Sequence, residues 1–225
     1  MTIRFRDRQA AGIQLAKALS VYDKQPNTLV LGLPRGGVPV AYEVARALQL
    51  PLDICLVRKL GLPGYPELAM GAISLGGVRT FNYDVIDSFQ VSEDAIESVA
   101  QSELQELERR NRLYRGHRPP SEVAGRRVIL IDDGLATGST MQAAIAVINA
   151  QQPEEIVVAV PVSPLNTYWK IRRQVSWVIC LSTPDPFSAI GLWYERFPQI
   201  ADEQVIRQLS CVCVQRAADS ASALK

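Results

Sequence analysis

The chain of 225 residues lacks the features that mark several large protein classes. It has 1 histidine and 4 cysteines, and no cysteine stands in a Cys-x-x-Cys or Cys/His metal spacing, which argues against a zinc site. No apolar run is long enough to cross a bilayer, and the charged start MTIRFRDRQAAG lacks the apolar region of a signal peptide. We therefore expect no membrane partner, and the cysteine usage fits a reducing cytoplasm.

An excess of charge of either sign is also missing. The 24 Lys and Arg residues nearly balance the 23 Asp and Glu residues, so nothing draws the whole chain to nucleic acid or to an anionic membrane. What the chain does have is apolar content, 48% of its residues, which is enough for a full core. The length suits one domain with a sizeable insertion, and we expect a single domain over residues 1–225.

Apolar runs and helix-like segments alternate along much of the chain. Alternation of this kind predicts βαβ units, and so an α/β fold with a Rossmann-like parallel sheet and helices on both faces. Asp7 is a candidate N-cap for the first helix. The predicted strands cover residues 28–33, 52–57, 128–131, 155–160 and 176–181, and the predicted helices cover 7–21, 38–48, 138–149 and 166–173.

The segment between the second and third of these strands departs from the alternation. Its first part, KLGLPGYPELAMG, is rich in glycine and proline and predicts a long loop. A β-hairpin is predicted over residues 69–81, and a long polar helix over 92–112 with Ser92 as its cap. The basic stretch 109–118 includes the single histidine, His117. It is either a solvated helix end or a surface that reaches the site, a partner subunit or RNA.

Ligands of parallel α/β sheets bind beyond the carboxyl ends of the strands, so the loops at these ends are candidate sites. The loop after the first predicted strand consists of Pro34, Arg35, Gly36 and Gly37. Its glycines allow close approach of a ligand to the backbone, and Arg35 adds a forked cationic donor. The alternative is an ordinary glycine-rich turn. Arg58 and Lys59 follow the second predicted strand, where they either meet phosphate or form a solvated pair.

The stretch VILIDDGLATGST, residues 128–140, carries the strongest signal. Asp132 and Asp133 follow a buried strand, and the next loop opens a helix whose amides and hydroxyls could surround a phosphate. That loop differs from a Walker A loop, since three residues separate Gly134 from Gly138 and no lysine follows. The aspartates either form a structural turn or bind a vicinal diol, directly or through a metal. A pentose 5-phosphate satisfies the diol and phosphate features together, and the Arg-Gly-Gly loop would take a second anionic group on the same sugar.

This stretch resembles the signature of the type I phosphoribosyltransferases for 5-phosphoribosyl 1-pyrophosphate (PRPP). The segments GLPRGGVPVA and ELAMGAI are similar to those of a bacterial group of the family. The resemblance implies the type I phosphoribosyltransferase fold with a core over about 28–181. A β-hairpin and loop insertion, with a mobile loop and the long helix, would cover 58–118, and a C-terminal hood would cover 182–214.

The resemblance also implies an activity and a set of site residues. PRPP would phosphoribosylate a nitrogenous base or related small-molecule acceptor with release of pyrophosphate, and Mg²⁺ would be bound through PRPP and the two aspartates. Catalytic roles would fall to Arg35, Lys59, Asp132 and Asp133. The 5-phosphate would be bound by Ala136, Thr137, Gly138, Ser139 and Thr140, and the pyrophosphate by Pro34, Arg35, Gly36, Gly37, Arg58 and Lys59. A homodimer is implied as well. The alternative function is a non-catalytic PRPP sensor or regulator on the same fold.

The acceptor is indicated less clearly than the sugar donor. The segment STPDPFSAIGLWYERF resembles the base-stacking segment of the 6-oxopurine phosphoribosyltransferases, which implies acceptor contacts from Phe187, Trp193 and Tyr194. The alternative is that these aromatic residues belong to the core. That subfamily carries an acid where this chain has Ala136, and a lysine where this chain reads VPVSP. A purine acceptor is therefore not implied.

Overall fold

The structure is a computed structural model that describes residues 4–211. The last predicted hood positions, 212–214, lie outside the described residues. Within the described part of the chain, no helix is long and apolar enough to cross a membrane.

Eight strands and seven helices make up the described chain. The strands are β1 (Thr28–Gly32), β2 (Leu52–Ile54), β3 (Val57–Leu62), β4 (Tyr65–Ser74), β5 (Arg79–Phe81), β6 (Arg127–Ile131), β7 (Glu155–Val162) and β8 (Trp177–Ser182). The helices are α1 (Arg8–Ala18), α2 (Gly37–Ala47), α3 (Tyr83–Ser88), α4 (Glu93–Arg115), α5 (Ser139–Asn149), α6 (Leu165–Arg172) and α7 (residues 202–211). The N-cap prediction is confirmed, because the Asp7 carboxylate accepts a hydrogen bond from the Ala10 amide.

The main sheet has five parallel strands in the order β2-β1-β6-β7-β8. Side chains alternate between its two faces, as in any pleated strand. Val30 and Ile129 pack in the cluster that includes α1 and α2, whereas Val128 and Leu130 pack with α5 and α6. The predicted α/β fold with helices on both faces is confirmed.

A second, antiparallel sheet in the order β3-β4-β5 departs from the sequence prediction. The predicted hairpin over 69–81 is confirmed, but the predicted long loop before it is wrong, because most of that segment lies in β3 and β4. Alternating burial explains the strands: Leu60 and Leu62 are buried, and Gly61 between them packs so closely that an added Cβ would lie 2.7 Å from the Pro66 carbonyl oxygen. The glycines and prolines of this segment therefore allow β3 and β4 to pack closely together.

The long helix begins as predicted, with Ser92 accepting a hydrogen bond from the Ala95 amide. It continues to Arg115 because that side chain is buried in an ion pair with Asp53, with 2.9 Å between Nε and Oδ1. Arg109 and Arg110 both pair with Glu106 on the same helix. Three arginines of the predicted basic surface are thus neutralised within the protein.

The N-terminal residues brace the hood, an arrangement that no local sequence pattern indicated. The Phe5 amide donates to the Trp193 carbonyl oxygen at 2.8 Å, and the Glu195 amide donates to the Phe5 carbonyl oxygen at 2.8 Å. The Phe5 ring also lies against Tyr194, with 5.6 Å between ring centroids. This bracing joins the start of α1 to the segment that follows β8.

Candidate functional site

Two loops meet at the carboxyl ends of the neighbouring strands β1 and β6. Gly32 pairs with Ile131 in the sheet, so residues 34–37 lie beside residues 132–138. A Cβ on Gly37 would lie 2.5 Å from the Ile131 carbonyl oxygen, and one on Gly36 would lie 2.1 Å from Asp133 Oδ2. Only glycine fits at these two positions. The structure therefore brings the predicted pyrophosphate loop into contact with the predicted acidic pair.

The predicted phosphate loop ends at the start of the 11-residue helix α5. Gly138 has a φ of +76°, a left-handed conformation that favours glycine, and the helix amides that follow it have no partner within the helix. Thr137 Oγ1 and Ser139 Oγ lie 3.0 Å apart and line a cavity of about 150 Å³. This arrangement offers amides and hydroxyls to an anion at a helix N-terminus.

Thr167, at the start of α6, holds the phosphate loop in place. Its hydroxyl donates to the Ala136 carbonyl oxygen at 2.8 Å, and the residue is 5% exposed. No sequence pattern indicated Thr167 as a site residue, because the hydrogen bond joins positions 31 residues apart.

The two aspartates have different environments. Asp132 is partly exposed and accepts from the Asp133 amide at 2.8 Å, whereas Asp133 is buried and accepts from Arg8 Nε at 2.8 Å. Burial raises the pKa of Asp132, and the negative charge of Asp133 raises it further. Burial also raises the pKa of Asp133, although the Arg8 guanidinium opposes that effect. Asp132 is the carboxylate with access to a ligand, and Asp133 is tied to the protein.

Arg8 and residues of the hood hold Asp133 through a network of contacts. The Arg8 guanidinium lies 3.7 Å from the centre of the Phe197 ring and donates to the Pro198 carbonyl oxygen at 2.7 Å. The Tyr194 hydroxyl donates to the Asp133 carbonyl oxygen at 2.6 Å. Arg8 could not be predicted as a site residue, because 125 residues separate it from Asp133 in the sequence.

Arg35 faces a cavity of about 470 Å³ that Arg8, Gly36, Asp133 and Ile190 also line. Its Nη1 lies 3.8 Å from Asp202 Oδ1, at the start of α7. Because both side chains are 36% exposed, this ion pair is weak and Arg35 can turn toward an anion in the cavity.

Arg58 and Lys59 lie elsewhere than predicted. Both belong to β3 in the second sheet, so the expectation that they follow a strand of the main sheet is wrong. The chain leaves the main sheet at Ile54, three residues before β3 begins. Arg58 Nε donates to Glu103 on α4 at 2.5 Å.

The three predicted acceptor contacts separate in the structure. The Phe187 and Trp193 rings are stacked at 16° with 6.2 Å between their centroids, and both are partly buried. Phe187 also lines an open cavity of about 500 Å³ beside Ala136 and Thr137. Tyr194 is only 1% exposed, because it packs between other rings, and it presents no face to a ligand.

Ile190 is a hood residue that the sequence analysis did not single out. It packs on the backbone of Gly134, where an added Cβ would lie 2.7 Å from Ile190 Cγ2. It lines both the cavity of the phosphate loop and the cavity of Arg35. Ile190 therefore stands between the two predicted anion sites.

Comparison with known proteins agrees with this geometry. The sequence profile described as phosphoribosyl transferase domain matches residues 5–192, which include both loops, the acidic pair and the start of the hood. The chain belongs to the phosphoribosyl transferase family. The match extends upstream to Phe5, so the Arg8 region lies within the phosphoribosyl transferase domain.

Individual relatives of this phosphoribosyl transferase domain are known. Two Mycobacterium tuberculosis proteins, from strains CDC 1551 and H37Rv, are named "Putative phosphoribosyl transferase" and are 44% identical to it over 202 residues. The matched segment is 90% of this chain and 45% of each relative, so the chain spans about half their length. The crystal structure of TT1426 from Thermus thermophilus is similar with a TM-score of 0.85 and 41% identity, over 92% of this chain and 98% of that one.

Proposed function

We propose that this phosphoribosyl transferase domain transfers the 5-phosphoribosyl group of PRPP to a nitrogenous base or related nucleophile and releases pyrophosphate. One observation carries the proposal: three features lie next to each other at the ends of the paired strands β1 and β6. They are the phosphate loop at the start of α5, the accessible carboxylate of Asp132 and the Arg-Gly-Gly loop. PRPP has a phosphate, a diol and a pyrophosphate on one pentose, and so offers one group to each feature.

The 5-phosphate is bound by residues 136–140. The amides at the start of α5, which have no partner within the helix, and the hydroxyls of Thr137, Ser139 and Thr140 surround its oxygens, and the positive end of the helix dipole favours its charge. All three hydroxyl residues are exposed, as a binding loop requires.

The ribose diol is bound by Asp132. A carboxylate accepts hydrogen bonds from two adjacent hydroxyls, and Asp132 is the member of the pair that Arg8 does not hold. Withdrawal of Asp132 from water strengthens these hydrogen bonds, because the effective dielectric constant around them is low.

The pyrophosphate is bound by residues 34–37, with Arg35 as the principal cation. When the bond from the anomeric carbon to the pyrophosphate oxygen breaks, its electron pair leaves with pyrophosphate, and a bond from the acceptor nitrogen forms at that carbon. Arg35 and the amide of Gly36 stabilise the charge that develops on the leaving group, whereas the Gly37 amide already donates to the Leu33 carbonyl oxygen at 3.0 Å. Arg58 and Lys59 on β3 are further candidates for this role.

The residues of this site fit a magnesium ion that is bound mainly through PRPP. Within residues 4–211, no group of three or more His, Cys, Asp or Glu side chains is placed to hold a metal. Mg²⁺ commonly binds through one or two carboxylates together with substrate phosphates and water, and Asp132 is the accessible carboxylate here. When bound, it would neutralise charge on the leaving pyrophosphate.

The acceptor approaches from the hood side. Ile190 covers the backbone between the two anion sites, and Phe187 and Trp193, which pack against the same apolar cluster as Ile190, are candidate stacking residues. Ala136 offers no group that could take a proton from the acceptor, so the acceptor reacts as a neutral amine or loses its proton elsewhere.

The test is pyrophosphate release from PRPP with Mg²⁺ across a panel of bases and amines. We expect at least one acceptor to raise release above the hydrolysis rate, and the Asp132→Ala variant to abolish that increase. PRPP binding with no acceptor-dependent release would contradict transfer and support a PRPP sensor. Absence of PRPP binding would overturn both functions.

A further inference from the structure

We propose that Arg8 is a positioning residue for pyrophosphate binding, which rests on the proposed function. Its guanidinium holds and neutralises the Asp133 carboxylate at the wall of the pyrophosphate cavity. Without that pairing, a carboxylate would face the incoming diphosphate.

The contacts on the two sides of Asp133 carry this inference. On one side, Oδ2 accepts from Arg8 Nε at 2.8 Å, and both side chains are about nine-tenths buried. On the other side, the same oxygen faces Gly36 so closely that an added Cβ would lie 2.1 Å from it. Asp133 is therefore between an arginine and the backbone that is proposed to bind pyrophosphate.

The charge balance of the cavity supports the same role. Arg8, Arg35 and Asp133 are the charged residues among those that line the cavity of about 470 Å³. With Arg8 paired to Asp133, the charge of Arg35 remains for an anionic ligand. If Arg8 were neutral, Asp133 would cancel much of the attraction between Arg35 and the ligand, because the charges are close together and the effective dielectric constant is low.

The position of Arg8 is fixed from several directions, as a positioning residue requires. Asp7 caps the helix that Arg8 begins, the Phe197 ring lies under the guanidinium, and the Pro198 carbonyl oxygen accepts from Nη1. These contacts leave the Arg8 side chain 9% exposed, with its guanidinium directed at Asp133 rather than at solvent. Arg8 therefore acts on the ligand through Asp133.

The experiment measures PRPP and ribose 5-phosphate affinities by calorimetry in the presence of Mg²⁺. The variants are Arg8→Gln, Arg8→Lys and Arg8→Gln/Asp133→Asn, with Arg6→Gln as the matched control. Arg6 lies two positions away and is 61% exposed in its side chain, and its ion pair with Asp7 is at the surface.

We expect Arg8→Gln to weaken PRPP binding about ten-fold or more and ribose 5-phosphate binding less than about three-fold, because only PRPP carries the diphosphate. Arg8→Lys and the double variant should recover most of the loss, because lysine restores a cation beside Asp133 and Asp133→Asn removes the carboxylate charge itself. Arg6→Gln should leave both affinities unchanged.

Equal losses for the two ligands in Arg8→Gln, or no recovery in the double variant, would overturn the Arg8 proposal. The melting temperature of each variant separates this result from unfolding, since a purely structural Arg8 would lower stability without altering the ratio of the two affinities. If the unchanged protein binds neither ligand, the proposed function itself fails, and with it the Arg8 proposal.

Discussion

The α-carbon of Gly36 faces the carboxylate of Asp133 with no room for a side chain, since a Cβ there would lie 2.1 Å from Oδ2. We predict that Gly36→Ala forces the two loops apart and weakens PRPP binding, and that the overpacking also lowers the stability of the protein by about 1–3 kcal/mol. Calorimetric titration with PRPP measures the loss of binding. PRPP affinity equal to that of the unchanged protein would mean that the pyrophosphate is bound elsewhere.

The two aspartates should respond oppositely to the same substitution. Asp132→Asn should abolish PRPP binding. It should also raise the melting temperature at pH 7, because it removes a carboxylate whose pKa is raised in the folded state. Asp133→Asn should lower stability, by about 3 kcal/mol, because it leaves Arg8 buried without its countercharge.

The pH dependence follows from the direction of the pKa shift. A raised pKa means that the folded protein binds the proton of Asp132 more tightly than the unfolded protein does. Asp132 therefore lowers the stability of the fold as the pH rises from about 3.9 through the raised pKa. The advantage of Asp132→Asn should therefore shrink toward pH 4. Thermal melts at several pH values check this, and an advantage independent of pH would contradict the assignment.

Gly138 in the phosphate loop has a matched control in Gly125. Both have positive φ, +76° and +65°, so alanine at either costs about 1–2 kcal/mol of backbone strain. At Gly138 the added Cβ would also lie 2.8 Å from Thr167 Cγ2, whereas at Gly125 it would meet nothing within 4 Å. We predict that only Gly138→Ala weakens ribose 5-phosphate binding in a calorimetric titration. Equal effects of the two variants would argue against a phosphate at this loop.

Ile190 should limit which acceptors reach the sugar. Ile190→Ala removes the branch that covers Gly134, so release of pyrophosphate with bicyclic bases should rise relative to monocyclic ones, by several fold for a few removed methylenes. Leu192→Ala is the control, because Leu192 is 60% exposed. An unchanged selectivity ratio in Ile190→Ala would place the acceptor away from Ile190.

The sequence predicted the main sheet well for a physical reason. The central strands β1 and β6 are buried almost throughout, so each is a continuous apolar run, and the loops that follow them could be assigned from their order alone. The hairpin of β4 and β5 was predicted, but the pairing of β3 with β4 was missed because Gly61 and Pro66, which serve close strand packing, have the composition of a loop. The six-residue α3 is too short to show a helical period.

The candidate site could be predicted only where its residues lie close together in one loop. Residues 136–140 and the two aspartates are contiguous, so their pattern is visible in the sequence. Arg8, Thr167 and Ile190 come from other elements and act through packing and hydrogen bonds over long sequence separations. No pattern in one sequence indicates such pairs, so the ion pair between Arg8 and Asp133 could not be predicted.

The most direct measurement is a crystal structure with PRPP and Mg²⁺ bound. The proposed function predicts the 5-phosphate at the amides of residues 137–140, the ribose hydroxyls at Asp132, and the pyrophosphate at Arg35 and Gly36, with Arg8 still paired to Asp133. A 5-phosphate bound away from the start of α5, or ribose hydroxyls that contact neither aspartate, would contradict it.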